Sequence, residues 1–395
     1  MIDFRSHRLA LYRAAAGSPV VLTAYDAMQQ SGDMAAPFLQ EASFWWATGI
    51  EEPGWKVIID SSRQRTILVR PKCSDTQRIF EGEVSDKEVL STSGADEIIA
   101  EADLESYLRR LAQRHTLVYS LYDKTAYEFV VNPAQRALHD MLTRVFASVE
   151  DIGKTLHELR AIKSDDEIDA VKKAIAVSVR AYRSVREQLD TYKHEYEIEA
   201  AFTHQFRRVN ATHAYTPIVA ADSHAVTLHY TANAGRTTGR SLILIDIGAR
   251  VNGYSADITR TYACNPTDRQ RQVHQAVASA QRKIIALLGP NVLVSEYLAS
   301  VDEIMKTALE ELGLLKDRSD DTTYRHYFPH AIGHGLGIDV HDSLGAPRYF
   351  QKGMILTVEP GIYIPEEGIG VRIEDDILIT EKGATNLTRM LSTDL

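Results

Sequence analysis

Residues 241–262, SLILIDIGARVNGYSADITRTY, contain an apolar strand, an Asn-Gly pair at 252–253 and a second strand. An Asn-Gly pair between two such runs is the strongest short-range signal of a β-hairpin. If the pair forms the loop, Asp246 faces Thr259, and the alternation of side chains along a strand puts Asp246, Asp257 and Thr259 on one face. Two carboxylates therefore lie diagonally across the hairpin.

The apolar run before Asp246 predicts that this aspartate ends a buried strand. Diagonal neighbours across a hairpin lie roughly 7–8 Å apart at Cα and less at their side-chain tips. Two ionised carboxylates buried at that separation are costly unless a cation compensates them, and a divalent metal ion does so directly. The alternative is that each aspartate caps a turn or pairs with Arg250 or Arg260.

Three histidines, His330, His334 and His341, lie close together in residues 328–342, FPHAIGHGLGIDVHD. The spacing of the first two suits one face of a helix, but a proline and three glycines argue against a helix here. The glutamate of an H-E-x-x-H zinc motif is also missing. A glycine-rich loop can instead bring ring nitrogens toward one point, which indicates metal ligands or proton-handling groups. The alternative is a set of surface histidines on a flexible loop.

Two glutamates belong to strand-like runs near the end of the sequence. Residues 355–359, ILTVE, form an apolar run that ends in Glu359. Residues 370–380, GVRIEDDILIT, predict one strand in which Arg372 and Glu374 share a face. Glu359 and Glu374 therefore join the two aspartates as candidate metal ligands.

Asp375 and Asp376 must point to different faces of that strand, so at most one of them can join Glu374. A turn, solvent or Arg372 accounts better for both. The remaining four carboxylates and one imidazole suit divalent ions that prefer oxygen with some nitrogen: Mn²⁺, Co²⁺, Fe²⁺ or Zn²⁺. Two such ions, ~3.5–4 Å apart, lower the pKa of a shared water and clamp a carbonyl oxygen, which is chemistry that hydrolyses amides.

The chain has 395 residues and exceeds the ~250–300 residues at which one hydrophobic core stops growing, so we expect two domains. Helix and strand patterns alternate in the first part, with strands predicted at 56–60, 66–69 and 116–119 and helices at 104–114 and 133–143. Ser164 and Glu167 then form a capping-box signature at the start of a long helical stretch. Residues 1–160 are predicted to form a small α/β domain and residues 161–395 an α+β domain.

Within the second domain, helices are expected from 164 to about 208 and again near 268–288 and 295–312, with strands dominating from 216 onward. The N-terminal sequence MIDFRSHRLALYRAAAG indicates an amphipathic helix and not a secretion signal. Cys73 and Cys264 are too few and too far apart for a disulfide framework, which fits a reducing cytoplasm.

The formal net charge is −10 and no long Lys/Arg cluster is present, so the electrostatic footprint of a nucleic-acid binder is absent. No apolar run reaches the ~18 residues that a membrane span requires. Neither nucleic acid nor membrane is therefore expected as a partner.

Four segments resemble the pita-bread metallopeptidases, the family of prolidase, aminopeptidase P, methionine aminopeptidase and creatinase. They are LIDIGARVNGYSADITRTY, HAIGHGLGIDVHD, TVEPGIY and GVRIEDD, and they stand in the family's order. Residues 38–54, FLQEASFWWATGIEEPG, resemble the N-terminal domain of the aminopeptidase P and prolidase branch. The resemblance implies a C-terminal α+β pita-bread fold preceded by a smaller α/β domain.

The resemblance also implies two divalent metal ions, with Mn²⁺ favoured and Co²⁺ or Zn²⁺ as alternatives. Asp246 and Asp257 would chelate one ion. His334 and Glu359, together with Asp257, would serve the other, and Glu374 would bridge the two. Glu359 would also carry a proton from the attacking hydroxide to the leaving imine nitrogen, which makes it both a ligand and a catalytic residue.

By the same resemblance, His229 matches a histidine that contacts substrate. His330 and His341 match positions that hydrogen-bond substrate or the tetrahedral intermediate. Arg372 and Tyr363 match groups that orient the bridging carboxylate and polarise the scissile amide. These five residues are the expected catalytic and substrate-binding neighbours of the metal ligands.

Two local features refine this expectation. Thr259 is similar to a residue that supports the two aspartates from behind. Residues 221–224, ADSH, depart from the Gly-x-Asn that relatives often carry before the substrate histidine, which leaves that side of the pocket in doubt.

The expected substrates are short peptides that contain proline. We favour an Xaa-Pro dipeptidase, because Arg348 offers a cation for the carboxylate of a dipeptide. Xaa-Pro aminopeptidase activity on longer peptides is the alternative, since the N-terminal domain points that way. A metal-binding protein without catalytic activity is a third reading. It is disfavoured because all five ligands are present.

Self-association is also expected, because the family commonly pairs through its N-terminal domain. Trp45, Trp46 and Trp55 would supply aromatic surface for a homodimer or a higher homo-oligomer. The alternative is that these tryptophans belong to the core.

Overall fold

The computed structural model describes residues 2–122, 131–239 and 241–395. The chain divides into two compact units, residues 1–160 and residues 161–395, and each has its own hydrophobic core. Both units mix helices with strands, which agrees with the α/β and α+β patterns predicted from the sequence.

In the first unit the helices are α1 (Phe4–Ala14), α2 (Ala42–Thr48), α3 (Asp75–Glu81), α4 (Asp86–Ser93), α5 (Leu104–Ala112), α6 (Pro133–Thr143) and α7 (Gly153–Ala161). Its strands are β1 (Val20–Thr23), β2 (Gln29–Ser31), β3 (Met34–Ala35), β4 (Lys56–Asp60), β5 (Arg65–Arg70), β6 (Glu97–Ala100), β7 (Leu117–Ser120) and β8 (Ser148–Asp151). The predicted N-terminal helix, the three predicted strands and the two predicted later helices of this region are confirmed.

A mixed sheet in the order β6-β5-β4-β1-β7-β8 organises this unit among the described residues. β1, β4 and β5 pair antiparallel, whereas β6, β7 and β8 join in parallel. Helices α5 and α6 present their leucines to the sheet and close the core.

The three tryptophans lie inside this unit. Trp45, Trp46 and Trp55 are each less than 5% exposed. Trp46 stacks on His7 with the ring centroids 4.5 Å apart, and Trp45 packs edge-on against Phe4. The expectation that they form an interface surface is therefore wrong, because all three are buried within the chain, two of them against side chains of α1.

In the second unit the helices are α8 (Asp165–Arg186), α9 (Glu195–Arg207), α10 (Asp268–Ile285), α11 (Val294–Glu311) and α12 (Asp321–Tyr327). The first strands are β9 (Thr212–His213), β10 (Ile218–Ala221), β11 (Leu242–Asp246), β12 (Ala249–Val251), β13 (Tyr254–Ser255) and β14 (Thr259–Ala263). The last strands are β15 (Ile355–Val358), β16 (Gly361–Ile364), β17 (Ile369–Arg372), β18 (Asp375–Thr380) and β19 (Gly383–Asn386). Short 3₁₀ turns lie at Glu101–Asp103 in the first unit and at Leu189–Thr191, Asp222–Val226 and Pro365–Glu367 in the second.

The capping box predicted for the first long helix of this unit is present. The Ser164 hydroxyl accepts from the Glu167 backbone N–H, and the Glu167 carboxylate accepts from the Ser164 N–H at 2.8 Å. Helix α10 packs on strands β15, β16 and β17 and on α11, and the apolar residues of these elements form the larger core. The long helices thus cover the sheets and leave the strand ends free to build a site.

The register predicted for the hairpin is confirmed, since Val251 faces Tyr254 and Asp246 faces Thr259. The hairpin is nevertheless divided between two sheets, with β11 and β14 in one and β12 and β13 in the other. Gly248 lies at the division, where an added Cβ would stand 1.7 Å from the Ala256 carbonyl oxygen. Only glycine allows the two chains to approach this closely.

The single strand predicted for residues 370–380 is instead two strands. β17 pairs with β16, whereas β18 pairs with β15 and β19, so the chain changes sheets at residues 373–374. At this change, the Glu374 N–H donates to the Thr259 carbonyl oxygen at 3.0 Å. Side-chain periodicity shows which face a residue takes but not which sheet the strand joins, and for that reason the break was not foreseen.

Among the described residues, no helix combines the length and the apolar character that crossing a membrane needs.

The buried imidazole of His274, on α10, makes stability depend on pH. Burial lowers its pKa to about 4, and its Nε2 atom has no hydrogen-bond partner among the described residues. Between pH 6.5 and 4, the unfolded chain therefore binds a proton that the folded chain does not, so the free energy of unfolding falls as the pH falls. We expect His274→Leu to remove up to about 3 kcal/mol of that fall, as measured by urea unfolding at pH 7.0, 5.5 and 4.5.

His204→Leu, at an exposed position on α9, is the matched control and should leave the pH dependence unchanged. If the His274→Leu protein lost stability with acid as steeply as the parent chain, the buried imidazole would not be the cause.

Candidate active site

A cavity of about 530 Å³ opens in the second unit where several strands end. Strand β11 ends in Asp246, Glu359 follows β15, and Glu374 lies between β17 and β18. The cavity is lined by most of the residues that the sequence singled out: His229, Asp246, Asp257, His330, His334, His341, Glu359, Arg372 and Glu374. Segments distant in sequence thus converge on one site.

The donor atoms of this cavity form three overlapping groups, and within each group they lie within 4.8 Å of one another. The groups are Asp246, Asp257 and Glu374; His334, Glu359 and Glu374; and Asp257, His334 and His341. The five predicted metal ligands all belong to at least one group. The structure also brings His341 within ligand distance, a position that the resemblance gave to substrate or intermediate binding.

The carboxylates of this cluster are buried close to one another. Burial raises the pKa of the Glu359 carboxyl to about 7 and the pKa of Glu374 well above its ordinary value, and the neighbouring carboxylates add to both. Burial, partly offset by a hydrogen bond with His334, also raises the pKa of Asp257. The protein thus holds acidic groups where their ionised forms are unfavourable.

His334 responds in the opposite direction. Burial lowers the pKa of its imidazole, but the carboxylates of Asp257 and Glu359, 3.4 and 3.5 Å from Nε2, outweigh burial and raise the pKa to about 9. Its Nδ1 atom lies 2.9 Å from the Gly335 carbonyl oxygen and donates to it, which turns Nε2 toward the acids. The cluster therefore demands positive charge, and oxygen donors with one or two imidazoles fit divalent metal ions.

Asp246 is held in place by two neighbours. Arg372 Nη2 and the Tyr215 hydroxyl each donate to its carboxylate at 2.6 Å. Arg372 Nη1 also donates to the Tyr363 hydroxyl at 2.8 Å, and burial raises the pKa of that tyrosine to about 12. Arg372 was expected to orient Glu374, but its ion pair is with Asp246, and the Thr259 hydroxyl lies between Arg372 and Glu374.

Thr259 supports a different carboxylate from the one expected. Its hydroxyl donates to Glu374 Oε2 at 2.7 Å and accepts from Arg372 Nε at 3.3 Å. Its partner is therefore the glutamate and not the aspartates, because the Thr259 backbone bridges directly to Glu374.

Asp375 and Asp376 are buried and do not face a turn or solvent. Asp375 pairs with Arg260 at 2.6 Å, and Asp376 Oδ2 accepts from the backbone N–H of Asp257 at 3.3 Å. The expectation for both is wrong, because β18 is the central strand of its sheet and has neighbours on both sides.

His330 has both ring nitrogens engaged. Nδ1 lies 2.7 Å from the Ala331 carbonyl oxygen, which only a protonated nitrogen can approach so closely, so Nε2 accepts from the Tyr363 hydroxyl at 2.9 Å. Burial, followed by the charge of Arg372, lowers the pKa of His330 to about 4 and keeps this ring neutral. His341 and His229 are more exposed, and the His341 ring lies 4.2 Å from that of His334.

Arg348 is not brought to the cavity. Its side chain is exposed, and its guanidinium lies over the ring of Tyr349 at 5.2 Å. The loop that carries it pairs with the segment before α11, since the Arg348 carbonyl oxygen accepts from the Val294 N–H. The proposed clamp for a dipeptide carboxylate is therefore not where the sequence placed it.

Sequence reasoning missed Tyr215, whose hydroxyl contacts Asp246, and the walls made by Thr216, Ile218 and Leu228. The only signal was strand pairing: β10 lies beside β11 with Ile218 opposite Asp246. Because β10 could not be assigned to that sheet from the sequence, its side chains could not be assigned to the site.

Fold and site together define a metallopeptidase, in which buried carboxylates and histidines surround a peptide-sized cavity. The sequence model of metallopeptidase family M24 matches residues 169–381, and the sequence model of the aminopeptidase P N-terminal domain matches residues 4–119. The chain belongs to metallopeptidase family M24. The resemblance to the pita-bread metallopeptidases, with a smaller N-terminal domain in front, is thus confirmed.

Relatives match along nearly the whole chain. The Xaa-Pro aminopeptidase of Escherichia coli is 32% identical over 98% of this chain and 94% of its own length, and that of Haemophilus influenzae is 31% identical over 91% and 87%. The solved structure of aminopeptidase P from E. coli with the inhibitor Pro-Leu is 29% identical, covers 99% of this chain and 95% of that one, and has a TM-score of 0.89. A zinc-substituted form of the same enzyme with product is 30% identical, covers 99% and 96%, and also has a TM-score of 0.89.

Proposed function

We propose that this metallopeptidase is an Xaa-Pro aminopeptidase, which removes the first residue of peptides whose second residue is proline. The relatives that match nearly end to end carry that name, and residues 4–119 match the aminopeptidase P N-terminal model. This was the alternative reading of the sequence. It replaces the dipeptidase reading, which depended on Arg348.

One observation in the cavity carries the proposal. Among the described residues that line it, the only lysine or arginine is Arg372, and its guanidinium is occupied by Asp246 and Tyr363. A dipeptidase must bind the carboxylate of its substrate next to the scissile bond, which needs a free cation there. An aminopeptidase needs no such cation, because its peptide continues past the proline.

Asp246, Asp257, His334, Glu359 and Glu374 would hold two divalent metal ions, with Mn²⁺ as our first choice. When bound, the ions would supply an acidified water and Lewis-acid stabilisation of the attacked carbonyl. Glu359 would take the proton of the attacking water and deliver it to the proline nitrogen as the bond breaks.

The histidines would act on the substrate. Because both nitrogens of His330 are already hydrogen-bonded, His341 is better placed to donate to the developing oxyanion. His229, which lines the cavity with Leu228 and Thr231, would contact the residue that is cleaved off. The homo-oligomer and the cytoplasmic location stay predictions. Both cysteines are free.

Peptide length tests the proposal. We expect the Mn²⁺-loaded protein to cleave Ala-Pro-Ala with a kcat/KM at least about tenfold above that for Ala-Pro, a difference of about 1.4 kcal/mol. Release of free alanine would be followed by chromatography, with chelated protein as the control. Cleavage of the dipeptide in preference to the tripeptide would restore the dipeptidase reading and require a carboxylate-binding group other than Arg348.

A further inference from the structure

The segment of residues 221–235 forms one wall of the cavity, because Leu228, His229 and Thr231 line it. This wall segment contains the 221–224 sequence that departs from the family pattern. It is mostly irregular, with one 3₁₀ turn at Asp222–Val226. An irregular segment needs other groups to fix it, since its backbone lacks a regular ladder of hydrogen bonds.

One buried carboxylate fixes both ends and the middle of the wall segment. Glu195, the first residue of α9, is 0% exposed. Its Oε1 atom accepts from the Ala221 N–H at 2.7 Å and from His224 Nδ1 at 2.8 Å. Its Oε2 atom accepts from the Tyr230 hydroxyl at 2.9 Å and from the Gly235 N–H at 2.5 Å.

Tyr230 is the critical contact, because it lies between two residues that face the cavity. With its hydroxyl bound to Glu195 and its ring stacked on His224 at 4.5 Å, Tyr230 points away from the cavity. Its neighbours His229 and Thr231 line the cavity.

The close approach at Gly235 shows how tightly this arrangement is packed. An added Cβ there would lie 2.5 Å from the His224 ring and 2.8 Å from the Glu195 carboxyl carbon. The Glu195 N–H also donates to the Gly235 carbonyl oxygen at 3.0 Å. The carboxylate at the start of α9 is further favoured by the positive end of the helix dipole.

We propose that Glu195 is a positioning residue that locks residues 221–235 against α9 and thereby sets His229, Leu228 and Thr231 for substrate binding. The part that concerns substrate rests on the proposed function, whereas the lock itself does not. Glu195 lies behind the wall and is not expected to touch the substrate.

Glu195→Gln is the decisive substitution. The two backbone donors, Ala221 N–H and Gly235 N–H, point at different carboxylate oxygens. A glutamine has one oxygen and one NH₂ group, so in either orientation its NH₂ faces a backbone donor that loses its acceptor. The variant has nearly the same size and still breaks the lock.

We expect Glu195→Gln to speed hydrogen–deuterium exchange in residues 221–235 of the substrate-free protein. We also expect it to raise KM for Ala-Pro-Ala at least about tenfold while kcat changes less than about threefold. Glu197→Gln is the matched control, because Glu197 lies on the same helix and bonds only to Lys193 and His194 among the described contacts. It should change neither readout.

A double-mutant cycle separates positioning from general stability. If Glu195 acts through the wall, Glu195→Gln should add little to the KM increase already caused by His229→Ala, whereas independent effects would add. Tyr230→Phe removes the hydroxyl that donates to Glu195 and accepts from the Ala234 N–H at 3.3 Å. This variant repeats the cycle if the glutamine variant fails to fold. Unchanged exchange in 221–235, or additive effects on KM, would overturn the proposal. If the parent protein cleaves no Xaa-Pro peptide, the proposed function fails while the exchange experiment still decides the lock.

Discussion

Glu374→Gln should abolish peptide hydrolysis, with kcat/KM falling by at least about 10³-fold, or about 4 kcal/mol of transition-state stabilisation. Glu374 belongs to two of the three donor groups, so neither ion could keep its full set of ligands without it. The glutamine oxygen can still accept from Thr259, so the loss would not come from that contact. The measurement is Ala-Pro-Ala hydrolysis at saturating Mn²⁺.

Without metal, the same substitution is expected to preserve or increase stability, although it abolishes activity. Burial among other carboxylates raises the pKa of Glu374, so its ionised form costs stability at neutral pH in a metal-free protein. In chelator, Glu374→Gln should unfold at the same or a higher temperature than the parent. Added Mn²⁺ should raise the unfolding temperature of the parent far more than that of the variant.

Glu367→Gln is the control, because Glu367 is a partly exposed carboxylate in a nearby turn, paired with Arg269. It should keep both activity and the response to Mn²⁺. Full metal stabilisation and near-normal turnover in Glu374→Gln would show that this glutamate is not a ligand.

Arg260→Met should destabilise the second unit by about 3–5 kcal/mol, the usual result of removing one partner of a buried ion pair. Arg260 is 1% exposed and pairs with Asp375 at 2.6 Å. Its remaining donors reach the carbonyl oxygens of Thr259, Glu374, Leu391 and Ser392. Methionine fills similar volume but leaves Asp375 charged and these carbonyls without that donor.

Urea unfolding of the chelated protein measures this effect, and Arg269→Met supplies the comparison. Arg269 makes a two-pronged pair with Glu367, but both side chains are about one-third exposed, so we expect a loss of only about 0–1 kcal/mol. Equal losses in the two variants would mean that burial of the Arg260 pair has no special weight.

Local patterns in the sequence were enough for much of the site. The Asn-Gly pair fixed the register that sets Asp246 opposite Thr259, and the glycines of 328–342 correctly excluded a helix around His334. The capping box at Ser164 is confirmed, and the apolar strand predicted to end in Glu359 is present and ends one residue earlier, at Val358. In each case, neighbours within a few residues decide the local conformation.

Contacts between distant segments could not be foreseen in this way. Asp375 pairs with Arg260, which lies more than a hundred positions away in the sequence. Arg348 lies outside the cavity because its backbone is hydrogen-bonded to the start of α11. No sequence pattern singled out Glu195, because nothing in its neighbourhood shows that residues 221–235 return to it. Long-range packing decides such partners, and a single sequence records it only indirectly.

The hydrogen bonds of Arg260 also imply that the candidate metal site forms late, after residues near the end of the sequence have folded. Leu391 is synthesised 131 residues after Arg260, yet its carbonyl oxygen accepts from the same guanidinium that holds the Glu374 backbone. A growing chain, or one clipped before Leu391, lacks this closing contact at the residue expected to bridge the metals. The candidate metal site is therefore expected to be complete only after Leu391 has folded back onto Arg260.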